Sequence, residues 1–555
     1  MRLDRRHWLA LSIVGLALAS SVTSLRNGFV YDDNLAILIN PRVHTLQAPW
    51  HAFAESYWPK ERGGGLYRPV TILLFALQWA IGGGGPFLFH LVNILLYAAL
   101  AVLVFGLARR LLPEGPAWLV GALFAVHPVH VEAVGNVVGQ AELTAGLAMV
   151  GAVILYLEWR ASSPGEPLSG RRLGVLSLLY LVACGCKEHG VVLPALLLAA
   201  EFTVVTDDRP WRERMVTLRP AYLLFAALGI AFLAVRTTVL GAFVGDQSAL
   251  TFQTLTAGQR ALTMFGLVPQ WLRLLYWPAH LQADYNPQET RVVTALDPGA
   301  LAGALALFAI VALGLLFRRR RPVVALGIGW ALIALLPSSN LLLPTGIVLA
   351  ERTMLLPSVG ALLVLGALVP VLLERWQHDS GSRIPVVVLG AATGLLITAG
   401  ALRSAVRQPV WANDEVFKLQ MVLDAPRSYW AQWLYGDYLY FTDHLQEGEQ
   451  HMRLAVQLEP NNPYILMLLG QRYQDHGFCR PAVEYLSRSV AITPERWRTR
   501  LRLIRCLLDL GQFDEARSQV GLGVGVGLGV TDFHAALVSI DSAASALAAE
   551  PRHAP

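Results

Sequence analysis

Long apolar runs alternate with short polar segments as far as about residue 402, beyond which the chain becomes mixed polar and aromatic. A helix needs roughly 17–25 mostly apolar residues to cross a bilayer. The runs predict eleven crossings, near 8–25, 87–108, 116–134, 142–158, 172–186, 189–206, 219–240, 297–317, 322–337, 352–373 and 384–402. The first run follows Arg2, Arg5 and Arg6, as a secretory signal would, but continues into Ser24-Leu25-Arg26 without a small-x-small cleavage pattern. It reads as an uncleaved first helix. Two further apolar stretches, Arg68 to Ile81 and Ala261 to Trp277, read as interfacial or re-entrant.

Composition narrows the class. Of 555 residues, 55% are hydrophobic and 15% charged, with a mean hydropathy of +0.48, whereas a soluble domain carries about a quarter charged residues. That balance argues against a soluble enzyme. It also excludes a disordered or nucleic-acid-binding chain, which needs polar bulk or a concentrated basic face. Four cysteines are too few for a disulfide framework, and Cys184 and Cys186, inside an apolar run, read as buried thiols. An all-α polytopic membrane bundle is the class that remains.

The net charge of +5 comes from arginines clustered between the apolar runs, and such clusters in short loops mark the cytoplasmic side. With eleven crossings, the N-terminal arginines, Arg109-Arg110, Arg160 with Arg171-Arg172, Arg209 to Arg219, Arg318 to Arg321, and Arg375 with Arg383 all fall on that side. A twelfth crossing at Ala261 to Trp277 would move Arg318 to Arg321 outside. The N-terminus is then cytoplasmic and the region after 402 outside. The same layout sends five polar strings to the outer face: Tyr31-Asp32-Asp33-Asn34, His127 to Glu132, Lys187-Glu188-His189-Gly190, Asp284-Tyr285 and Ala350-Glu351-Arg352.

The remainder repeats every 34 residues: Gly436 and Gly470, Pro460 and Pro494, and Gly477 and Gly511 are so spaced. Small residues at close-packing positions of a 34-residue helix-turn-helix unit predict a tetratricopeptide α-solenoid. The expected organisation is a transmembrane domain over 1–402, a linker over 403–427, repeats at 428–461, 463–496 and 497–530, and a capping helix and tail over 531–555. The third unit carries Ile504 in place of the first glycine, and a glycine-rich stretch from Gly521 to Gly529 interrupts the array. Arrays of this kind bind extended polypeptide on a concave face, which points to a protein partner.

Each polar string has a functional and a plainer reading. Asp32 and Asp33, where the first run emerges, are either solubility residues or a helix cap, or else a general base with a neighbouring carboxylate that tunes it. His127 and His130 flank Pro128 at the end of a run and read as an interfacial cap. With Glu132 they also have metal-ligand chemistry, but no further ligand completes a set, and no metal is expected. Glu142 opens the next run, where an ionisable side chain faces the bundle interior or a wet cavity. Lys187 and Arg352 either neutralise their neighbours Glu188 and Glu351 at span ends or, with Arg68, receive an anionic lipid headgroup entering from the bilayer.

Together these strings resemble the transmembrane and tetratricopeptide-repeat-containing protein O-mannosyltransferases, membrane glycosyltransferases of the GT-C superfamily. The resemblance runs through Phe29-Val30-Tyr31-Asp32-Asp33-Asn34, Tyr67-Arg68-Pro69, Phe124 to His130 with Glu132, Ala141-Glu142-Leu143, Cys186-Lys187-Glu188, Asp284-Tyr285, Ala350-Glu351-Arg352 and the repeats, in the family's order. Gln140 stands where arginine is expected, and His189 where the family usually has glutamine. The array is short, and the layout looks bacterial.

The resemblance implies a sugar, mannose or another hexose, carried on a bacterial polyprenyl monophosphate and transferred with inversion to serine or threonine hydroxyls of exported proteins, outside the cytoplasmic membrane. It implies Asp32 as base with Asp33 in support, no cofactor, and cations such as Arg352, Lys187 and Arg68 for the phosphate. His127, His130, Glu132, Glu142, Glu188, Asp284 and Glu351 would line or support the site. The substitution at Gln140 puts that position's share in donor binding in question. A non-catalytic scaffold that recruits a partner through its repeats, or the same chemistry on a polysaccharide or lipid, are the alternatives.

Overall fold

The computed structural model describes residues 4–59, 65–242, 252, 255–286, 288–380, 384–527 and 529–549. Arg2 and Arg383, used above to orient the chain, and residues 550–555 of the expected tail lie outside the described residues. Every regular element among the described residues is helical, and the chain divides into two compact units, Met1–Asp424 and Ala425–Pro555.

Among the described residues of the first unit seven helices are long and apolar enough to cross a membrane: Arg5–Arg26, Pro86–Leu111, Val137–Ser162, Trp211–Leu240, Pro298–Phe317, Glu351–Arg375 and Val386–Trp411. The broken pair Glu114–Ala125 and Pro128–Gly135, bent by 44°, makes an eighth candidate. This is a multi-pass helical membrane protein. The other three predicted crossings are shorter helices, Gly170–Cys186, Leu193–Thr203 with its preceding turn Glu188–Val192, and Pro322–Leu335. The Arg68 to Ile81 stretch forms Pro69–Gly82. The Ala261 to Trp277 stretch falls in Ala257–Gly266 and Val268–Tyr276, and the second of these buries Val268, Trp271, Leu274 and Leu275 along one face.

Local chemistry sets these boundaries. Pro86, Pro298 and Pro322 open their helices, where the missing N–H is no loss. Asp4 and Asp297 cap theirs by accepting from backbone N–H groups one turn in. Pro128 acts in the opposite sense and breaks a run, with the His127 ring accepting from the N–H of Val129 at the break. Between Pro322–Leu335 and Leu355–Ser380 the backbones meet at Gly327 and Gly360: a Cβ on Gly327 would stand 2.6 Å from the Gly360 oxygen. Small residues permit such contact where lipid supplies no hydrophobic drive between helices. The Trp330 indole beside it donates to the Leu356 carbonyl at 2.9 Å.

The segment 403–427, expected as a linker, belongs to the first unit through Asp424. Ile384–Arg407 leads into the turn Gln408–Trp411 and the helix Asp414–Asp424. Its polar composition conceals one apolar side, on which Phe417 and Met421 are buried. Arg407 pairs with Asp424, and the Gly28 N–H donates to the Ala412 carbonyl at 2.8 Å.

The second unit is a row of helix pairs: Tyr429–Phe441 with Leu445–Leu458, Pro463–Asp475 with Cys479–Ile492, and Trp497–Asp509 with Phe513–Val526. One core, including Trp433, Met452, Leu469, Leu486, Leu503 and Val520, runs through all of them. Gly436 and Gly470 let Met452 and Leu486 of the facing helix approach closely, while Ile504, at the equivalent position of the third pair, is buried in the same core as Val520. The glycine-rich stretch, expected to interrupt the array, stays helical to Val526 and turns only at Gly527, with φ +76°. The helix Val530–Ala549 follows and buries Phe533 and Ile540 in the same core.

Candidate functional site

The loop after the first helix is pinned from two sides. The Asn27 amide donates to the Gln408 carbonyl at 3.0 Å and the Gly135 carbonyl at 3.4 Å, and the Tyr31 N–H donates to Asp414 at 3.4 Å. Tyr31 itself has φ +57°, a left-handed conformation rare for a bulky residue and held only where surrounding structure enforces it. The kink separates the next two carboxylates. Asp33, 1% exposed, accepts from the backbone N–H groups of Val138 at 2.9 Å, Val137 at 3.3 Å and Val30 at 3.4 Å. Burial pushes the Asp33 carboxyl up to about 8, against the opposing pull of those three donors. Asp32 keeps its side chain 21% exposed and turns toward Arg352, 3.4 Å away.

Arg352 is the hub. Its Nη1 donates to Glu132 at 2.9 Å, its backbone N–H donates to the other Glu132 oxygen at 2.8 Å, and its Nε stands 3.8 Å from Glu142. Glu142 in turn accepts from Lys187 Nζ at 2.6 Å. Arg68 forks onto Glu188, with contacts of 2.9–3.2 Å, and lies 5.1 Å from the centre of the Tyr57 ring. Four carboxylates and three cations are thus gathered from five distant segments. The neutralising pairs within Lys187-Glu188 and Glu351-Arg352 are not the ones formed: each cation reaches a carboxylate from another element. Glu351 instead accepts from the Tyr285 hydroxyl at 2.8 Å and the Gln282 N–H at 2.5 Å.

Beside the hub a cleft runs between the start of Val137–Ser162, the turn after Cys186 and the start of Glu351–Arg375. Glu142, Lys187, His189 and Arg352 line its polar end, and Met149 and Leu356 are among its apolar walls. A charged end and an apolar flank thus meet in one small cavity, of about 20 Å³.

The histidines hold the scaffold. His130 is buried, bonded to the Tyr97 hydroxyl at 3.0 Å on one nitrogen and the Ser358 hydroxyl at 2.9 Å on the other. His127 lies 3.1 Å from the Leu275 carbonyl. Among the described residues no group of three or more His, Cys, Asp or Glu side chains is arranged to hold a metal ion. Asp284 accepts from the Asn286 amide at 2.7 Å, and its neighbour Tyr285 provides the link to Glu351. Gln140 lies outside the ionic cluster, in a buried amide set with Gln78 at 2.6 Å and Asn93 at 2.9 Å.

Two features escaped the sequence reading. One is the clamp of Asn27, Gln408 and Asp414 on the Asp32 loop, which no local signal announces. The other is a second ionic network, in which Arg160 donates to Glu201 at 3.0 Å and Asp207 at 2.8 Å while Arg214 donates to Glu201 at 2.8 Å. Glu142 and Arg160 stand near opposite ends of one helix, about 27 Å apart at 1.5 Å per residue, close to the ~30 Å hydrocarbon thickness of a bilayer.

A multi-pass helical membrane protein with a buried cluster of paired charges is the class these features define. No protein-family model matches the sequence. Its homologues are protein O-mannosyl-transferases: the chain is 25% identical to human protein O-mannosyl-transferase TMTC3 over 518 residues, covering 87% of this chain and 55% of that protein. It is 28% identical to human TMTC4 over 466 residues, 74% of this chain and 60% of the relative. Fruit-fly Tmtc2 is 36% identical over 296 residues, 51% of this chain and 31% of the relative. The chain thus spans about a third to three-fifths of the length of these relatives.

Proposed function

We propose that the chain is an inverting glycosyltransferase of the GT-C kind that moves mannose or another hexose from a polyprenyl-phosphate donor to serine or threonine hydroxyls of exported proteins. The observation that carries this reading is the amphiphilic cleft ending at Lys187 and Arg352, with the accessible carboxylate of Asp32 beside Arg352. The names of the homologues supply the reaction class.

In this reading the polyprenyl chain lies along the apolar wall and the phosphate meets Lys187 and Arg352, with Arg68 behind them. Asp32 takes the proton of the acceptor hydroxyl as its oxygen attacks the anomeric carbon from the face opposite the phosphate. The carbon–oxygen bond to phosphate breaks, the polyprenyl phosphate leaves with the electron pair, and the configuration inverts. Phosphate needs no acid to depart, so one base and preorganised cations suffice. Glu132 and Glu142 hold the cations in place, and Asp33 holds the loop. The helix pairs of the second unit act as tetratricopeptide repeats that engage the acceptor polypeptide. Eleven crossings of a bacterial cytoplasmic membrane would leave the N-terminus inside and the repeats outside.

The test is transfer itself: the purified protein in lipid nanodiscs, a mannosyl polyprenyl phosphate and a serine/threonine-rich acceptor polypeptide. Transfer by the wild type and none by Asp32→Asn is the expected result. Transfer undiminished in Asp32→Asn would overturn the assignment of the base. A wild type that binds acceptor polypeptide and transfers nothing from any polyprenyl-linked sugar would favour the scaffold.

A further inference from the structure

His189 is the member of the cleft that nothing else in the protein explains. The turn that carries it is tightly built. The Lys187 N–H donates to the Ala183 carbonyl at 2.9 Å, and the Gly190 N–H donates back to the Lys187 carbonyl at 2.9 Å. A Cβ on Gly190 would stand 2.3 Å from the Cys184 nitrogen and 2.4 Å from the Ala183 carbonyl carbon, so only glycine lets the turn fold onto the helix before it. The imidazole, which follows Lys187 and Glu188 directly in sequence, is thereby fixed and faces the cleft shared with Glu142, Lys187 and Arg352.

Both ring nitrogens of His189 are buried, and neither has a hydrogen-bond partner among the described residues. The other charged groups around the cleft are mutually paired. Buried polar atoms are almost always satisfied, and an orphan calls for an explanation such as a ligand. Asn136 also leaves both of its polar atoms unpartnered, but among the described residues His189 is the one with two such atoms that lines the charged cleft.

An uncharged imidazole offers one donor and one acceptor. A phosphate at neutral pH chiefly accepts, so it satisfies only the N–H. A sugar hydroxyl donates as well. We propose that His189 is a donor-binding residue whose two nitrogens bridge the ligand, the N–H reaching a phosphate oxygen and the other nitrogen accepting from a hydroxyl of the attached sugar. This rests on the donor reading given above and adds to it the group that distinguishes a glycosylated lipid phosphate from a bare one. The side chain at 189 is then a determinant of donor choice, and glutamine, which also offers a donor and an acceptor, is its nearest functional substitute.

The test measures binding of two probes to the full-length protein in nanodiscs: a short polyprenyl monophosphate and its mannosyl derivative. His189→Phe keeps the ring and removes both nitrogens. It should bind the mannosyl probe about tenfold more weakly, as expected for losing one or two neutral hydrogen bonds, and lose less for the bare phosphate. His189→Gln should recover most of the difference. Lipid-free thermal stability of the phenylalanine variant should not fall, since no internal hydrogen bond is lost, and His189→Ala repeats the comparison if the larger ring is not accommodated. Wild-type binding unchanged in both variants would overturn the role of His189 and leave the donor reading standing. Equal loss for both probes would overturn the bridge to the sugar. A wild type that binds neither probe would overturn the donor reading itself, and this inference with it.

Discussion

Arg352 stands 3.4 Å from Asp32 and donates at 2.9 Å to Glu132, so one guanidinium joins the loop after the first helix to the segment after Pro128. The arrangement is costly unless every member is present. Breaking a buried ion pair by removing one partner leaves an uncompensated charge, and typically costs about 3–5 kcal/mol. A site built this way holds its accessible carboxylate in a fixed place before any substrate arrives. That preorganisation is what a general base working beside a departing phosphate requires.

Asp32 and Asp33 should separate cleanly. Asp32→Asn keeps the size but cannot take a proton at neutral pH, and should lower transfer about 10²–10⁴-fold, the usual contribution of a general base. Asp33→Asn should keep most activity, because an amide oxygen can still accept from the N–H of Val138. Asp33→Ala removes the clamp and should lower both activity and thermal stability. Transfer assays and melting curves on the three variants decide the matter; an inactive Asp33→Asn with an active Asp32→Asn would exchange the two roles.

The same burial gives stability a pH dependence. Asp33 titrates near 8 in the folded chain against an ordinary 3.8 when exposed. Between those values the folded protein holds a proton that the unfolded chain has lost. Its contribution to stability is fully present below about pH 4, declines as pH rises toward 8 and is gone above it. Asp33→Asn cannot titrate, so the melting temperature should fall less steeply between pH 5 and about 8 in the variant than in the wild type. Parallel curves would mean that the three backbone donors keep the group ionised.

Arg352→Lys should retain attraction for phosphate but lose the planar fork, raising the donor KM and lowering kcat, with Arg352→Ala worse in both. Glu132→Gln tests how the arginine is held. Its amide can accept from only one side, so Arg352 should lose either its backbone or its side-chain anchor. We expect lower kcat together with lower lipid-free stability, because the half-buried Arg352 loses its nearest carboxylate partner and keeps only the longer contacts to Asp32 and Glu142. Donor kinetics identical to wild type in Arg352→Ala would assign the hub to structure alone.

Much of this was legible in the sequence because membrane crossing and 34-residue repetition are periodic signals. The apolar runs located the long helices, and Gly436 and Gly470 located the helix pairs. The polar strings were also legible as a set, since an ionisable residue in an apolar run is costly and stands out. Their pairings were not. Lys187 was read against its neighbour Glu188 and Arg352 against Glu351, whereas tertiary packing joins Lys187 to Glu142 and Arg352 to Glu132. Sequence adjacency says little about which way two side chains face at a helix end. The segment 403–427 was read as a linker because its few buried residues, Trp411, Phe417 and Met421, are diluted among polar ones.

The second ionic network provides a control for the first. Arg160 and Glu201 are 1% and 0% exposed, and Glu201 also receives the Tyr156 hydroxyl at 2.7 Å. Arg160→Met leaves Glu201 with Arg214 and Tyr156 but strips its more buried cationic partner. Destabilisation of about 3–5 kcal/mol is expected for a pair broken from one side. Because Arg160 stands about 27 Å along its helix from Glu142, protein that remains folded should show the wild-type donor KM. A changed KM at unchanged stability would tie the two networks together.

The last prediction concerns which boundary faces which compartment. Seven helices, or eight with the bent pair, are long enough to cross, and Gly170–Cys186, Glu188–Thr203 and Pro322–Ser338 bring the proposed count to eleven. These three segments span 16 or 17 residues, near the lower limit of about 17 for a crossing. Shorter helices are tolerated where flanking polar residues snorkel or the bilayer thins locally. Arg171, Arg172 and Arg318 to Arg321 border them on one side, which the charge rule assigns to the cytoplasm. Reporters of compartment fused after Arg172 and Arg321 should therefore read cytoplasm, and one fused after Arg403 should read outside. If the three short segments did not cross, the reporters after Arg172 and Arg321 would still read cytoplasm, because the two short segments between them cancel, but the reporter after Arg403 would also read cytoplasm. The helix pairs after Tyr429 would then face the cytoplasm while Asp32, which follows only the first crossing, stayed outside, and a protein acceptor met outside the membrane would lose its main support.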